Sequence, residues 1–174
     1  MIKVAIVGAS GYAGCELVRL LSKHQNVTLT HLYVSQNSED ANEEICALNG
    51  MLSGLCSLKL EPLSYEHAAT LTNEDADVIF MATDHKVSHD LAPIFLDNGI
   101  VVIDLSGAFR ISDLDAFSQY YGFEFGDKQR SLMQERVYGL VDFIKAEDLQ
   151  RARLISMPGC YPTASELALK PLAE

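Results

Sequence analysis

The chain opens on two apolar segments with strand character that flank one amphipathic segment. Ile2 to Val7 is a short, largely β-branched run that stops at Gly8, which predicts a strand buried on both faces. From Tyr12 to Lys23 apolar residues recur at helical spacing, so a helix with one apolar face should follow. Val27 to Val34 again has strand character. The start of the chain therefore predicts a strand, a helix and a second strand.

The same order of elements returns in the middle of the chain. Val78 to Ala82 is predicted as a strand, and Lys86 to Asn98 as a helix that stops at Gly99. Ile100 to Leu105 is predicted as the next strand. Pro93 lies inside the helical stretch and predicts a kink or a division into two short helices. Alternating strands and helices are typical of α/β proteins, so we expect a doubly wound, mostly parallel sheet with helices on both faces.

The last third of the chain has a less regular pattern. Ile111 to Gln134 carries aromatic side chains among Asp, Ser and Gly without a clear period, and we predict an irregular segment there. Ala146 to Arg151 is predicted as a short helix and Arg153 to Met157 as the final strand. Pro162 to Ala173 is predicted as a helix, since proline is well tolerated in a first helical turn.

Composition limits the classes to which this protein can belong. With 174 residues, 48% hydrophobic and 21% charged, the chain is long and apolar enough for one folded domain. A net charge of −11 argues against nucleic-acid binding, which needs clustered Lys and Arg. No apolar run approaches the roughly twenty residues of a membrane-spanning helix, and no secretory signal precedes the first strand. We therefore expect a soluble cytoplasmic protein with no membrane partner.

No metal site is predicted. The cysteines lie far apart and include no C-x-x-C pair, which disfavours a zinc site and a redox dithiol, so reduced thiols are expected. His85 and His89 are four residues apart, but no third spaced ligand accompanies them, and we interpret both as surface residues of a helix. The four cysteines are Cys15, Cys46, Cys56 and Cys160.

Three glycines stand at the junction of the first strand and the first helix. Gly8, Gly11 and Gly14 form the pattern G-x-x-G-x-x-G, which permits a tight turn and a close approach of the backbone to a pyrophosphate. The following helix offers unpaired N–H groups to an anion. This placement favours a dinucleotide-binding loop of the Rossmann type over an ordinary structural turn. The loop residues assigned to cofactor binding are Gly8, Ser10, Gly11, Tyr12, Ala13 and Gly14.

The end of the second strand bears on which dinucleotide is bound. The position expected to meet the adenosine ribose is Ser35, and no carboxylate stands there to bind a 2′-hydroxyl and repel a 2′-phosphate. This favours NADP over NAD. However, no Arg or Lys lies between Ser35 and Gly54 to pair with the additional phosphate. The alternative interpretation of this segment is a polar turn.

Two further loops follow strand ends, where ligands lie in open parallel sheets. Thr83 follows the strand that ends at Ala82, and Ser106 follows the strand that ends at Leu105, so both are assigned to the cofactor. Arg110 is the basic residue best placed for an anionic substrate, because a guanidinium can form two parallel hydrogen bonds to phosphate or carboxylate. A surface salt bridge is the alternative interpretation of Arg110.

Cys160 stands between a Pro-Gly turn and a predicted helix. The positive end of a helix stabilises a thiolate, which can attack an activated acyl carbon, and a nicotinamide can then deliver hydride to the thioester. Together with the glycine loop, this favours a catalytic nucleophile. The alternative is a small buried residue in a turn.

Five motifs, taken together, resemble the N-acetyl-gamma-glutamyl-phosphate reductase family of the semialdehyde dehydrogenase superfamily. They are GASGYAG from Gly8, ATDHKVSHDLAP from Ala82, DLSGAFR from Asp104, YGL from Tyr138 and PGCYPTA from Pro158. The last motif is the most specific, since it separates this family from the aspartate-semialdehyde dehydrogenases. One departure is Val-Asp after YGL, where many members have Pro-Glu.

The resemblance implies the NADPH-dependent reduction of N-acetyl-glutamyl 5-phosphate to its semialdehyde with release of phosphate, in arginine biosynthesis. Cys160 falls on the family's nucleophile. The family's catalytic histidine lies in a second half with no counterpart here, so residues 1–155 are expected to be the NADP-binding domain and 156–174 the start of the catalytic domain. A homo-oligomer is expected for the full-length protein, and little or no activity for this part alone.

Two other functions stay open at this point. One is a nucleotide-binding module of the same fold that performs no chemistry. The other is a related acyl-phosphate or semialdehyde dehydrogenase, which would keep the mechanism and change the substrate.

Overall fold

The computed structural model describes residues 1–173, which form a seven-stranded sheet with helices on both faces. The strand order is β3-β2-β1-β4-β5-β7-β6, and each pair of neighbouring strands in this sheet is parallel. The expected doubly wound α/β fold is therefore confirmed. The strands are β1 (Ile2–Val7), β2 (Val27–Ser35), β3 (Leu60–Leu63), β4 (Val78–Met81), β5 (Val101–Asp104), β6 (Val137–Tyr138) and β7 (Leu154–Ser156).

Eight α-helices connect or follow the strands of this sheet in the described part of the chain. None of them is both long enough and apolar enough to cross a membrane. Short 3₁₀ turns occur at Gly50–Leu52, Val141–Phe143 and Lys170–Leu172. The helices are α1 (Tyr12–Leu21), α2 (Ile45–Leu48), α3 (Tyr65–Thr70), α4 (His85–Asp97), α5 (Leu114–Tyr121), α6 (Asp127–Glu135), α7 (Ala146–Arg151) and α8 (Cys160–Leu169).

Each face of the sheet has its own hydrophobic cluster. Successive side chains of a strand point to opposite faces, and β1 divides accordingly, with Ile6 in one cluster and Val7 in the other. The cluster that contains Ile6 includes Val18 of α1. The cluster that contains Val7 includes Phe95 of α4 and Phe117 of α5. The apolar face predicted for the first helix is therefore the face that packs on the sheet.

The expected division of the helix at Pro93 was wrong, because α4 runs without interruption from His85 to Asp97 and the proline is buried in its middle. The alternative, a kink at Pro93, stays a prediction. The segment from Ile111 to Gln134 is not irregular, since it contains α5 and most of α6. The side chain of Asp113 caps α5 by accepting from two backbone N–H groups, and Gly122 ends it at φ +77°. Phe117 of α5 packs inside the domain against Phe123 and Phe125.

Strand β3 and helix α3 had no predicted counterpart. Pro62 lies within β3 and lacks an N–H group, which is tolerated because β3 is the edge strand and pairs on one side only, with β2. Ser64 then caps α3 by accepting from the N–H of His67 at 3.1 Å. These two elements complete one wall of the cleft described below.

Candidate functional site

The site lies where the direction of strand progression reverses. From β1 the sheet extends through β2 to β3 on one side, and from β4 through β5 to β7 and β6 on the other. Ligands of open α/β sheets bind beyond the carboxyl ends of the strands at such a point. The glycine loop leaves β1 at this reversal, and its first two N–H groups, from Gly8 and Ala9, both donate to Tyr33 O, at 2.9 and 3.0 Å.

Close backbone contacts explain two of the three glycines. Gly8 has φ +85°, and a Cβ there would collide with the carbonyl oxygen of Ala82. A Cβ on Gly14 would collide with the backbone of Gly8 and Ala9. Gly11 is different, because its φ is −72° and its nearest neighbour is in ordinary contact. The loop is therefore a compact cradle at Gly8 and Gly14, and Gly11 is the N-cap residue that directly precedes α1.

The N-terminus of α1 leaves backbone donors available. No side chain caps this helix, and the first N–H to find a backbone partner is that of Cys15, which donates to Gly11 O at 2.8 Å. Tyr12 and Ala13 are exposed at the helix start, and Ser10 is half-buried beside them. N–H groups in this position bind anions such as a pyrophosphate.

A cleft of about 440 Å³ lies beside the loop and brings three of the predicted residues together. Gly8, Ser35 and Thr83 all line this cleft. Ser35 is the last residue of β2, and Thr83 follows β4 with its methyl group close to Gly8. The carboxylate of Asp84 also lines the cleft, but it caps α4 by accepting from the N–H of Val87 at 3.0 Å. By contrast, Ser10, Gly11 and Tyr12 line a separate depression of about 430 Å³ next to α1.

The interpretation of His85 and His89 as surface residues was wrong. His89 is 5% exposed, and its Nδ1 lies 2.8 Å from the carboxylate of Asp90. His85 is half-buried, and its Nδ1 accepts a hydrogen bond from the N–H of Gly107 at 2.7 Å. That contact between α4 and the loop after β5 depends on tertiary packing, so no local sequence signal could have found it.

The loop after β5 holds Ser106 and Arg110 in different environments. Ser106 is 4% exposed, and its hydroxyl accepts from the N–H of Ala108 at 3.0 Å. Arg110 is half-buried, with Nε donating to Met157 O at 2.8 Å and one terminal nitrogen donating to Leu105 O at 2.5 Å. Its other terminal nitrogen lies beside Gly159. Arg110 is therefore fixed between the strand-end loops of β5 and β7 and is no surface ion pair within the described residues.

Cys160 is exposed and is the first residue of α8. It follows β7 by a short Met-Pro-Gly segment, so it stands on the same edge of the sheet as the glycine loop. Its helix has no side-chain cap, and Thr163 is the first to donate back, to Gly159 O at 3.0 Å. The alternative of a buried turn residue is thus wrong, because the thiol is accessible at a helix start.

Solved structures of semialdehyde dehydrogenases share this fold. Aspartate semialdehyde dehydrogenase with NADP from Candida albicans aligns with a TM-score of 0.68 at 17% identity, over 99% of this chain and 46% of that one. Aspartate semialdehyde dehydrogenase II complexed with ASA from Vibrio cholerae aligns with a TM-score of 0.64 at 22% identity, again over 99% and 46%.

Curated proteins are similar along the entire chain. The N-acetyl-gamma-glutamyl-phosphate reductases of Yersinia pseudotuberculosis and Aliivibrio fischeri are 49% and 47% identical over 174 residues. This chain spans about half the length of these relatives, since the alignments cover 100% of it and 50% of each of them. Residues 3–152 also match the family model described as the NAD binding domain of semialdehyde dehydrogenase. With the match extending over most of its length, the chain belongs to the semialdehyde dehydrogenase NAD-binding domain family.

Proposed function

We propose that this chain supplies the cofactor-binding domain and the nucleophile of an NADPH-dependent N-acetyl-gamma-glutamyl-phosphate reductase. The reaction converts N-acetyl-glutamyl 5-phosphate to N-acetyl-glutamate 5-semialdehyde and phosphate. The observation that carries the proposal is the accessible Cys160 at the start of α8, on the sheet edge where the glycine loop opens. The names of the curated relatives, matched over the whole chain, support the choice of substrate.

The described residues fit a dinucleotide. The cradle at Gly8 and Gly14, which a Cβ would fill, allows the backbone to approach a pyrophosphate closely, and the free N–H groups of α1 would bind it. Ser35 and Thr83, which both line the adjoining cleft, would contact the cofactor there. The residue at the end of β2 is Ser35, not Asp or Glu. Because no carboxylate there would repel a 2′-phosphate, this position favours NADP over NAD. Ser106 would contribute through the backbone of its loop, because its hydroxyl is already engaged.

Cys160 would act as the acyl acceptor. Its thiolate attacks the acyl carbon, a C–S bond forms, the C–O bond to phosphate breaks, and a thioester remains on the enzyme. The hydride that reduces this thioester would come from NADPH held at the glycine loop and its adjoining cleft. The C–S bond then breaks, which releases the aldehyde and returns the electron pair to sulfur. The N–H groups at the start of α8 stabilise the anionic sulfur at both stages.

Arg110 would assist by joining the loops that follow β5 and β7 and by placing positive charge near Cys160. Two of its nitrogens hold the carbonyls of Leu105 and Met157, and the third lies beside Gly159, next to the nucleophile. That third nitrogen is the one available to an anionic phosphate. The proton donor for the aldehyde step would belong to the second half of the protein, as would the contacts that form the expected homo-oligomer.

The proposal is tested with the second half of the Aliivibrio fischeri reductase added to this chain. We expect NADP reduction in the presence of the semialdehyde and phosphate, and loss of this rate in Cys160→Ser with cofactor affinity unchanged. A Cys160→Ser variant that retains the rate would contradict the assigned nucleophile. As a second measurement, an alkylating reagent should modify Cys160 faster than Cys15, Cys46 or Cys56, and equal rates would favour a binding module without chemistry.

A further inference from the structure

His85, the first residue of α4, joins two loops that the proposed site uses. The loop after β4 lines the cofactor cleft through Thr83 and enters α4 at His85. The loop after β5 carries Arg110. On that second loop, the N–H of Gly107 donates to Nδ1 of His85 at 2.7 Å. The imidazole therefore connects the backbone that leads to Arg110 with the wall of the cofactor cleft.

This hydrogen bond reaches Arg110 through the loop's own backbone. The N–H of Arg110 donates to the carbonyl oxygen of Gly107 at 3.3 Å. The N–H of Ala108, between them, donates to Oγ of Ser106 at 3.0 Å. These two N–H groups find their acceptors inside the loop, whereas that of Gly107 finds its acceptor on another element. His85 is thus an external support for the turn from which Arg110 projects.

Gly107 is packed closely between two rings. A Cβ on Gly107 would collide with the hydroxyl group of Tyr121 on α5 and would lie 3.0 Å from Nδ1 of His85. The rings of His85 and Tyr121 are themselves in edge-to-face contact, with centroids 4.4 Å apart. The loop therefore has no spare room at this point, and these two side chains set its position.

The direction of the hydrogen bond fixes the protonation state of His85. A backbone N–H can only donate, so Nδ1 must be unprotonated, and the ring proton of the neutral imidazole lies on Nε2. A second proton on Nδ1 would place two donors against each other. The contact therefore belongs to the neutral form of the ring. Histidine is the side chain that ordinarily changes its charge between pH 5 and 8.

The ionisable groups on either side of this contact leave Nδ1 to Gly107. They are Tyr121 on α5, Asp104 and Arg110 at and after the end of β5, and Asp84, Lys86 and His89 on the α4 side. Asp84 caps α4, and Lys86 pairs with Asp90. In the part of the chain that the structure describes, no hydrogen bond joins any of these side chains to the imidazole.

We propose that His85 is a positioning residue for Arg110, because its unprotonated Nδ1 holds Gly107 in place and protonation of that nitrogen at acid pH releases the loop. The terminal nitrogen of Arg110 beside Gly159 then loses its fixed position, and phosphate binds more weakly. The consequence for phosphate rests on the proposed function. The protonation state of His85 and its hold on the loop do not.

The protonation state is tested by proton–nitrogen correlation NMR of this chain after isotope labelling. At about pH 8, the ring signals of His85 should show Nδ1 unprotonated and Nε2 protonated, and His85→Asn identifies these signals by removing them. As the pH is lowered, the amide signals of Gly107 and Arg110 should move together with the ring signals. In His85→Asn, whose amide oxygen accepts at every pH, they should stay in place. A protonated Nδ1 at about pH 8, or amide signals that move equally in both proteins, would overturn the proposal.

The positioning role is tested in the enzyme completed with the second half of the Aliivibrio fischeri reductase, by KM for phosphate and kcat. At about pH 8, His85→Ala should raise this KM about 2- to 10-fold, the loss expected for one hydrogen bond, with little change in kcat. His85→Asn should stay near wild type. At about pH 6 the KM of wild type should approach that of His85→Ala, while His85→Asn should keep the lower value. Phosphate changes its own ionisation over this range, so variants are compared at equal pH.

His24 offers a matched control. Its Nδ1 also accepts from a backbone N–H, that of Asn26 at 3.2 Å, but it lies between α1 and β2, at the opposite edge of the sheet. His24→Asn should have the KM of wild type at both pH values.

The outcomes separate the proposal from the function on which part of it rests. Equal KM for phosphate in wild type, His85→Ala and His85→Asn at both pH values would refute positioning. A completed wild-type enzyme without activity would contradict the proposed function, and the NMR spectra would still decide whether His85 holds the loop. If His85→Ala does not fold, the comparison of wild type with His85→Asn at the two pH values decides the positioning role.

Discussion

Substitution of Gly8 by alanine separates the cost of backbone conformation from the cost of a clash. Gly8 and Gly99 have nearly the same positive φ, +85° and +83°. A Cβ on Gly8 would meet the carbonyl of Ala82, whereas a Cβ on Gly99 would have no neighbour within 4 Å. Gly99 lies between α4 and β5, at the opposite edge of the sheet from the site. It is therefore the matched control.

The expected magnitudes follow from these two environments. A left-handed backbone costs an L-residue about 1–2 kcal/mol, and this cost applies equally to Gly8→Ala and Gly99→Ala. The entropy that alanine removes from the unfolded chain is also common to both. Overpacking against a backbone carbonyl, which cannot rotate away, adds about 1–3 kcal/mol at Gly8 alone. We expect total losses in the free energy of unfolding of about 2–5 kcal/mol for Gly8→Ala and about 1–2 kcal/mol for Gly99→Ala.

Urea unfolding followed by circular dichroism measures both variants, and titration with NADP measures the site. Gly99→Ala should bind NADP as wild type does, while Gly8→Ala should bind more weakly, because the displaced loop no longer fits a pyrophosphate. If Gly8→Ala proved as stable as Gly99→Ala, the close approach of the loop to Ala82 would be refuted. If both bound NADP equally well, the cradle would not be the cofactor site.

Three further variants test the packing around the site. His85→Ala leaves the N–H of Gly107 without its acceptor and should reduce the free energy of unfolding by about 1–3 kcal/mol, whereas His85→Asn should retain most of it. Phe117→Ala opens a cavity in the aromatic cluster, where the ring centroids of Phe117 and Phe125 lie 4.2 Å apart. It should lower the free energy of unfolding, measured in urea, by about 3–5 kcal/mol. Burial raises the pKa of Asp104 above 3.8, so stability measured relative to Asp104→Asn should fall as the pH rises from that value, by up to about 1.4 kcal/mol per pH unit.

Each of these variants has an outcome that contradicts its reasoning. Equal stabilities of His85→Ala and His85→Asn would mean that the Gly107 contact contributes nothing. A Phe117→Ala variant as stable as wild type would mean that α5 is not part of the core. The expected fall of stability with pH for Asp104 has a simple cause. The folded state keeps the carboxyl proton up to a higher pH than the unfolded state does. A stability difference that rose with pH would therefore require an ionised, stabilised carboxylate.

Local signals carried the features that were predicted correctly. The glycine pattern between an apolar run and an amphipathic segment located the loop, because it marks the turn between β1 and α1. The same holds for Cys160, whose neighbours Pro158 and Gly159 indicate a turn before a helix. By contrast, α5 was missed because Phe117 contacts Tyr121, Phe123 and Phe125 at once, and these positions follow no single period.

Contacts between distant segments could not be predicted from any pattern. Arg110 and Met157 are 47 positions apart, and Gly107 and His85 are 22 apart, yet each pair is joined by one hydrogen bond. The sequence predicted an anion-binding role for Arg110 from its chemistry alone. The carbonyl of Met157, which accepts from its Nε, is brought to Arg110 by the pairing of β5 with β7, which no local residue choice reveals.

The segment that leads to Cys160 is held by the sheet. It is fixed at Met157, whose N–H donates to the carbonyl of Asp104 and whose own carbonyl accepts from Arg110. Because β5 also borders β4, which pairs with β1, displacement of Met157 relative to the glycine loop would require breaking strand pairing in the core of the sheet. The segment that precedes the proposed nucleophile is thus tied to the glycine loop through strand register.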